Sequence, residues 1–242
     1  MKRYILAILV IFSLSIVGCV FNEPVKGSER HEFRYFIGID LGVGDRVVDG
    51  KPIHNVTLIL PYPCLNGTPL KLEIVSKPRN WNVSIVDTPY GKMLKIEVEV
   101  IKPVRMPAPI PIKPGETPKE VVTIEMPELN DLEIKVMINR TVNTLNPFED
   151  YNLNPKFDVK IAKCSMAVGK EKCYKFKTKI FAKYEGDTEM HIYVSLEGRN
   201  EWFSYGWTGN EFHEWVTVDL KDPPNGWIDA VGRIECGKGV YK

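Results

Sequence analysis

The feature that most constrains the fold of this chain is a two-residue alternation of apolar and polar side chains. In the segment 94–100 leucine, isoleucine and valine alternate with lysine and glutamate, and the same period recurs at 70–74, 174–180 and 190–196. A period of two places successive side chains on opposite faces of a β-strand, and past residue 30 we find no convincing helical period of 3.6. The pattern therefore predicts antiparallel sheets with one buried face and one solvated face.

Turn-forming residues separate the alternating segments. Asn66-Gly67, Tyr90-Gly91, Gly186-Asp187 and Asn225-Gly226 each follow or precede such a segment. The composition, 44% hydrophobic, supplies enough apolar material for one large core or two smaller ones. About eleven to thirteen short strands at this spacing predict an all-β antiparallel sandwich, built as one large or two associated β regions.

Two interruptions divide the chain. Residues 102–119 contain six prolines, which cannot donate to a β-ladder and favour an extended crossover along a sheet edge. Residues 146–155 contain Asn-Pro twice and are predicted to form a loop. We therefore expect an N-terminal β region over 31–145, which includes the proline-rich crossover, and a C-terminal β-sandwich region over 156–242. Whether these regions form one sandwich or two lobes stays open at this point.

The N-terminus has the layout of an export signal. Lys2 and Arg3 precede an apolar run that ends at Gly18-Cys19, and this run is shorter than a comfortable membrane span. The segment predicts a lipoprotein signal helix over 1–18, lipidation of Cys19 and a tether over 19–30. An uncleaved membrane anchor and an ordinary secretion signal are the alternatives. Each of the three places the rest of the chain on the extracytoplasmic side of the cell membrane.

Four cysteines follow Cys19, and an even number in an exported chain predicts two disulfides. Cys164 and Cys173 lie nine positions apart around a glycine, so a local bridge between them is the simplest pairing. That leaves Cys64 to pair with Cys236. A zinc site is disfavoured because no two of these cysteines have the spacing of zinc knuckles.

Sequons for N-glycosylation occur four times, where chance predicts roughly one. The acceptor residues are Asn55, Asn66, Asn82 and Asn139. Alternation places Asn55, Asn82 and Asn139 opposite apolar neighbours, so we expect the sequons in turns or on the solvent side of strands. The sequence thus predicts a glycoprotein, although asparagine and threonine on strand faces could produce the same pattern.

Several segments of this chain resemble recurrent pieces of a known group of proteins. They are His54-Asn-Val-Thr-Leu-Ile-Leu-Pro-Tyr-Pro, the stretch Trp81-Asn-Val-Ser-Ile-Val-Asp-Thr-Pro-Tyr-Gly-Lys-Met-Leu-Lys-Ile, Leu196-Glu-Gly-Arg-Asn-Glu-Trp-Phe, and the C-terminal Asn225-Gly-Trp with Gly237-Lys-Gly-Val-Tyr. The group they resemble is that of the uncharacterised, β-rich archaeal cell-surface lipoproteins. The resemblance implies an archaeal envelope protein and carries no activity or site residue.

Motifs for catalysis, metal binding and cofactors are missing from the sequence. There is no Gly-x-Ser-x-Gly, no His-Glu-x-x-His and no phosphate-binding glycine loop, so we predict no catalytic residue, no metal site and no cofactor. Glu197 and Glu201 form a carboxylate pair of the kind that glycosidases use, but a chain with 31 acidic residues contains such pairs by default. With 32 basic residues against those 31, the chain has no attraction for nucleic acid.

The most distinctive segment for binding is aromatic and spans residues 201–215. We expect Trp202, Tyr205, Trp207 and Trp215 to contact a glycan or a neighbouring surface protein, since flat rings stack on sugar faces. The alternative is that these rings only pack in a sandwich core, because aromatic residues favour strands.

The sequence thus predicts a lipid-anchored extracytoplasmic β-sandwich protein of an archaeal envelope, with a structural, adhesive or binding role and no catalysis. Its partners would be the membrane, through the lipid, and envelope glycans or neighbouring surface proteins. The alternative function is carbohydrate binding through the segment Trp202–Trp215. A hydrolase or hydrolase accessory domain is the third reading.

Overall fold

The structure is a computed structural model, and it describes residues 29–42, 51–104, 128–164, 170–203 and 207–237. The predicted signal helix 1–18, the lipidation site Cys19, nearly all of the tether and most of the proline-rich crossover lie outside the described residues. No helix in the described ranges is long and apolar enough to cross a membrane.

The prediction of an all-β antiparallel fold is confirmed. The described ranges contain fourteen strands and one short 3-10 helix, Pro147–Glu149. The strands are β1 (Arg30–Leu41), β2 (Ile53–Leu60), β3 (Tyr62–Leu65), β4 (Thr68–Pro69), β5 (Ile74–Ser76), β6 (Asn82–Thr88), β7 (Gly91–Ile101), β8 (Asp131–Met137), β9 (Asn152–Asn154), β10 (Phe157–Ala162), β11 (Lys170–Glu185), β12 (Met190–Phe203), β13 (Trp207–Leu220) and β14 (Asn225–Gly237).

Eleven of these strands form a single antiparallel sheet. Its order is β5-β8-β1-β12-β13-β14-β11-β2-β7-β6, and β10 pairs with β11 beside β2. The remaining strands form a small sheet in the order β4-β3-β9. Strands from residues 31–145 and from residues 156–242 are interleaved, since β1 pairs with β12 and β2 pairs with β11.

The long sheet curls back on itself around one core. Four strands separate β1 from β2 in the sheet order, yet the Tyr35 hydroxyl of β1 donates to the Pro61 carbonyl at 2.7 Å, directly after β2. The ring of Tyr35 also meets that of Tyr62 edge to face at 5.1 Å. Inward-facing residues from both halves of the sheet belong to one buried cluster. This arrangement fits a sandwich or half-barrel, as alternation predicts for a sheet with one buried face.

Two glycines allow aromatic rings to fill this core. Gly198 faces Phe212 across the β12–β13 ladder, and Gly232 faces Phe176 across the β14–β11 ladder. A Cβ atom at either glycine would lie 2.2 Å from the opposing ring. Each ring therefore occupies the space that a side chain at the glycine would need, and the strands can curve closely over it.

The core also encloses an ion pair between β13 and the segment that precedes β10. Lys156 Nζ lies 2.6 Å from a carboxylate oxygen of Glu214, and their side chains are 7% and 0% exposed. The second oxygen of Glu214 accepts the backbone N–H of Leu153 at 3.1 Å, and Lys156 also donates to Asn152 Oδ1 at 2.7 Å and to the Leu153 carbonyl. The pair thus fastens β9 to the interior of the sheet.

The loop 138–151 is held by two further polar contacts. Arg140 forms a fork with the buried carboxylate of Asp150, at 2.5 and 2.6 Å. The buried amide of Asn200 accepts the Val142 N–H at 2.8 Å and donates to the Val142 carbonyl at 2.9 Å. These contacts satisfy backbone and charged groups that burial would otherwise leave without partners.

One predicted disulfide is confirmed and the other is wrong. Cys164 and Cys173 form a bridge with an S–S distance of 2.06 Å. Cys64 and Cys236 belong to no disulfide, because Cys64 lies in the small sheet while Cys236 lies at the end of β14 between β11 and β13. The Cys64 thiol instead points to the Lys92 carbonyl at 3.7 Å, and burial raises its pKa to about 11.

The strand expected at 70–74 is also absent, although alternation is regular there. The backbone over 71–73 forms no strand, and only Ile74–Ser76 pair, with β8. Leu70 is buried and exchanges hydrogen bonds with the small sheet, where its N–H meets the Pro63 carbonyl at 2.8 Å and its carbonyl accepts the Tyr62 hydroxyl at 3.2 Å. These bonds turn the chain away from the long sheet.

Candidate functional site

The aromatic segment is divided between the two faces of the long sheet. β12 and β13 pair without a register shift from Met190 opposite Leu220 to Phe203 opposite Trp207. Along β12, Trp202 follows the parity of buried Asn200, so it lies on the core side at the end of the strand. Along β13, Trp215 lies between buried Glu214 and Val216, so it faces outward. Trp202 and Trp215 therefore do not form one platform.

The hairpin between these strands carries the other two predicted residues. Tyr205 lies outside the described residues, and for Trp207 only the backbone position, opposite Phe203, is described. Phe203 itself is 48% exposed. Of the four residues predicted to bind a partner, Trp215 is thus the one that the structure places on the outer face of the sheet.

Trp215 lies within a cluster of polar side chains on the outer face of β12, β13 and β14. The His213 ring stacks on it with centroids 4.8 Å apart, and the Arg233 guanidinium lies 5.8 Å from the Trp215 ring centre. The Tyr193 hydroxyl lies 3.3 Å from His213 Nε2. Cross-strand pairing sets this arrangement, because Trp215 lies opposite Ser195 on one side and Arg233 on the other.

Next to the aromatic side chains, one arginine gathers three carboxylates. Arg199 lies 2.6 Å from Glu197, 3.1 Å from Glu201 and 3.5 Å from Glu211. Alternation along β12 aligns Glu197, Arg199 and Glu201 on the outer face, and the β12–β13 register brings Glu211 opposite Arg199. The carboxylate pair noted in the sequence, Glu197 and Glu201, is thus brought together, with the guanidinium between its members.

The carboxyl of Glu197 is perturbed by this crowding. Burial raises its pKa most, the hydrogen bond with Glu211 raises it further, and Arg199 opposes both effects. Two acidic groups that share a hydrogen bond favour one bound proton, so Glu197 retains a proton to higher pH than an ordinary glutamate. The outer face thus offers carboxyl groups, a guanidinium and an aromatic ring to a hydroxyl-rich or peptide-like ligand.

The acidic neighbours of His213 lie on opposite faces of the sheet. Glu211 accompanies His213 on the outer face, whereas Glu214 points into the core and bonds Lys156. Within the described ranges, no three histidine, cysteine or acidic side chains are grouped so that they could hold a metal ion.

All four sequon asparagines are exposed. Asn55 lies at an irregularity of β2 with a φ of 52°, and Asn66 lies in the β3–β4 turn with a φ of 51°. Asn82 begins β6, and Asn139 follows β8. Each acceptor amide is therefore accessible in the folded chain, and glycosylation itself stays a prediction.

Sequence reasoning missed a second outward surface, on β10, β11 and the adjoining part of β14. Its aromatic residues are far apart in the chain, but Trp227 lies 4.9 Å from Tyr90 and 5.6 Å from Phe181 between ring centroids. Lysines at alternate positions of β11 lie on the same face. The alternation of β11 was visible in the sequence, but the neighbours across the ladder depend on the sheet order.

Comparison with known proteins identifies a similar archaeal protein. An uncharacterised protein of Archaeoglobus fulgidus is 24% identical to this chain over 246 residues, which span 96% of this chain and 95% of that protein. No protein-family model matches the chain, and no solved structure matches it. The chain is therefore similar over nearly its whole length to an archaeal protein of unknown function.

Proposed function

We propose that this chain is a lipid-anchored, extracytoplasmic protein of an archaeal envelope that binds a neighbouring envelope component without catalysing a reaction. The lipid at Cys19 would hold it at the membrane. The Cys164–Cys173 bridge supports an oxidising location, since structural disulfides persist outside the cytoplasm, and the four exposed sequons agree with export. The similarity to an archaeal protein supports the source.

The observation that carries the binding role is the outer face of β12 to β14 around Trp215. Arg199 and the three carboxylates around it are only 17–28% exposed, so the sheet holds them in fixed positions. A fixed set of donors, acceptors and one ring meets a partner without the cost of ordering flexible side chains.

The same geometry favours binding over hydrolysis. A glycosidase needs its two carboxyl groups to flank an open space for the scissile bond. Between Glu197 and Glu201 the guanidinium of Arg199 occupies that position and bonds both.

Carbohydrate is the more specific candidate for the partner. Trp215 combines an outward position with a stacked imidazole and a nearby guanidinium, and sugars are recognised through ring stacking together with hydroxyl hydrogen bonds. A neighbouring surface protein would use the ring and the charges differently, through burial of the ring and complementary charge.

The test measures binding to glycans and envelope fragments on an array. We expect Trp215→Ala to abolish binding while the thermal midpoint changes little. Trp202→Ala, on the core side of the same sheet, is the matched control and should retain binding. Equal losses in both variants, or no binding by the parent chain to any fragment, would contradict the proposal.

The location is tested separately by intact-mass analysis of membrane-extracted protein. We expect a mature chain that begins at Cys19 and carries lipid. A chain that retains Met1, or that partitions into the soluble fraction, would remove the lipid anchor from the proposal.

A further inference from the structure

A row of three cations crosses strands β10, β11 and β14 on the outer face of the sheet. In the ladder Lys160 lies opposite Lys175, and Lys175 lies opposite Arg233. Lys160 and Lys175 are exposed, and no ion pair is found for either among the residues that the structure describes. Arg233 lies 3.6 Å from Glu235 and donates to the Lys163 carbonyl at 3.0 Å. Like charges directly opposite each other destabilise a sheet, so the neighbouring Lys160 and Lys175 oppose folding.

The next row along the same face combines a lysine with exposed apolar side chains. Lys177 lies between Phe157 and Val231, which are 40% and 59% exposed. Lys177 forms an ion pair with Asp158, with 2.8 Å between Nζ and the carboxylate oxygen. Two large apolar side chains thus lie in solvent directly beside Lys160 and Lys175.

Aromatic rings continue the face beyond these rows. Phe181 lies opposite Trp227, and Tyr90 from the β6–β7 turn packs on Trp227. Lys179 Nζ lies 6.0 Å from the Tyr90 ring centre and 2.9 Å from Asp229. The rings meet edge to face at 76° and 71°, so they do not offer the row of parallel flat faces on which a sugar chain would stack.

We propose that this surface, the basic face of β10, β11 and β14, lies against an anionic lipid surface. Lysines attract phosphate-bearing headgroups, and tryptophan, tyrosine and exposed apolar residues favour the boundary between headgroups and acyl chains. The inference rests on the proposed function, in which the chain is held at a membrane.

The length of the tether permits this orientation. Eleven residues lead from Cys19 to the start of β1 at Arg30, and an extended segment of that length spans roughly 35 Å. In the sheet β1 lies four strand spacings from β11, or about 19 Å at 4.8 Å each. A lipid on Cys19 can therefore reach the bilayer on which the basic face rests.

The test determines which face of the anchored, full-length chain contacts vesicles. An environment-sensitive fluorophore is attached at Val231→Cys on the basic face or, as a matched control, at Met137→Cys on β8. The two positions are 59% and 52% exposed and lie on opposite halves of the sheet. With vesicles that contain phosphatidylglycerol and a headgroup quencher, we expect quenching at position 231 and little at position 137. Purely zwitterionic vesicles should remove the difference.

Charge variants link this orientation to the cation row. Each lysine near an anionic surface favours contact roughly fivefold, so Lys160→Gln with Lys175→Gln should lower the ratio of face-down to other orientations roughly 25-fold. Lys102→Gln with Lys221→Gln removes two exposed lysines elsewhere and should change little. High salt should have the same effect as Lys160→Gln with Lys175→Gln, because it screens the attraction between the lysines and the anionic lipid.

Equal quenching at positions 231 and 137, or equal effects of the two lysine pairs, would overturn the inference. So would an environment change at position 231 with dextran sulfate but not with phosphatidylglycerol vesicles, since that result assigns the face to an anionic polysaccharide. Failure of the proposed function can be told apart from failure of this inference. It would appear in the intact mass of the membrane-extracted chain and in the array binding of the Trp215→Ala variant.

Discussion

The buried ion pair between Lys156 and Glu214 gives a quantitative prediction. Burial lowers the pKa of Lys156 and raises that of Glu214, and in each case the partner opposes the shift. The directions of the two pKa shifts mean that desolvation outweighs the attraction between Lys156 and Glu214. The pair should therefore contribute little net stability, although the loss of one member alone is costly.

The two single variants should both be strongly destabilised. Lys156→Met leaves the Glu214 carboxylate, which is 0% exposed, without its cation, and we expect a loss of about 3–5 kcal/mol in the free energy of unfolding. Glu214→Leu leaves Lys156 with its bonds to Asn152 and the Leu153 carbonyl but removes the acceptor of the Leu153 N–H, so the loss should lie in the same range of about 3–5 kcal/mol.

The double variant should recover most of this loss. Replacement of a buried pair by apolar side chains is neutral or stabilises by about 1–4 kcal/mol. Here the Leu153 N–H, which Glu214 accepts at 3.1 Å, is left without a partner at a cost of about 1–3 kcal/mol. The two effects nearly cancel, so Lys156→Met with Glu214→Leu should lie close to the parent and about 3 kcal/mol above Lys156→Met alone.

Urea denaturation at pH 7, followed by tryptophan fluorescence, measures all four members of this cycle. The exposed pair Lys51 and Asp187, with side chains 70% and 76% exposed, is the control, and Lys51→Met should leave the midpoint unchanged. The reasoning is refuted if the double variant is less stable than either single variant, or if Lys156→Met costs less than about 1 kcal/mol.

Three further predictions concern the loop, the core and the disulfide. Burial alone would raise the pKa of Asp150, but hydrogen bonds from Arg140 and from two backbone N–H groups lower it. The ionised carboxylate therefore stabilises the fold at pH values above its ordinary pKa, and this stability is lost as the pH falls through the lowered pKa. Asp150→Asn should cost about 2 kcal/mol at pH 7 and reduce the stability lost between pH 5 and pH 3, and an unchanged slope would contradict this assignment. Gly232→Ala should destabilise the fold by about 1–3 kcal/mol or more in thermal unfolding, because the Cβ of the new alanine would lie 2.2 Å from the Phe176 ring. Gly67→Ala is the control, because its Cβ meets no neighbouring atom and the variant measures backbone strain alone. Reduction of the Cys164–Cys173 bridge should lower the free energy of unfolding by about 2.5 kcal/mol. Peptide mapping should find Cys64 alkylated only after unfolding, since its thiol is buried, and rapid alkylation of Cys64 in the folded chain would count against this.

Local patterns in the sequence were sufficient to predict the fold class and three of the four alternating segments as strands. The alternation at 174–180 and 190–196 places the same side chains in the core as the structure does, because the faces of a strand follow from position alone. At 70–74 the same pattern failed, since Leu70 bonds to the small sheet and that contact depends on tertiary structure.

Features that join distant strands could not be predicted in this way. The Cys164–Cys173 bridge followed from its short spacing, whereas the pairing of Cys64 with Cys236 was inferred by elimination and ignored the sheet order. Trp202 and Trp215 are close in sequence and were treated as one patch, but each belongs to a different face. The cation row depends on three strands whose register no local pattern contains.

The pairing of β1 with the distant strand β12 determines when the chain can fold. Arg30 pairs with Glu201, so the first described strand acquires its β12 partner only after some 170 further residues have been made. At about 5–20 residues per second, that interval lasts roughly 10–30 s, during which an apolar strand has one edge unpaired. Pairing of β11 with β14, which ends at Gly237, comes later still. The sheet can therefore be completed only after nearly the whole chain has been made, and its strands cannot be added one by one in the order of synthesis.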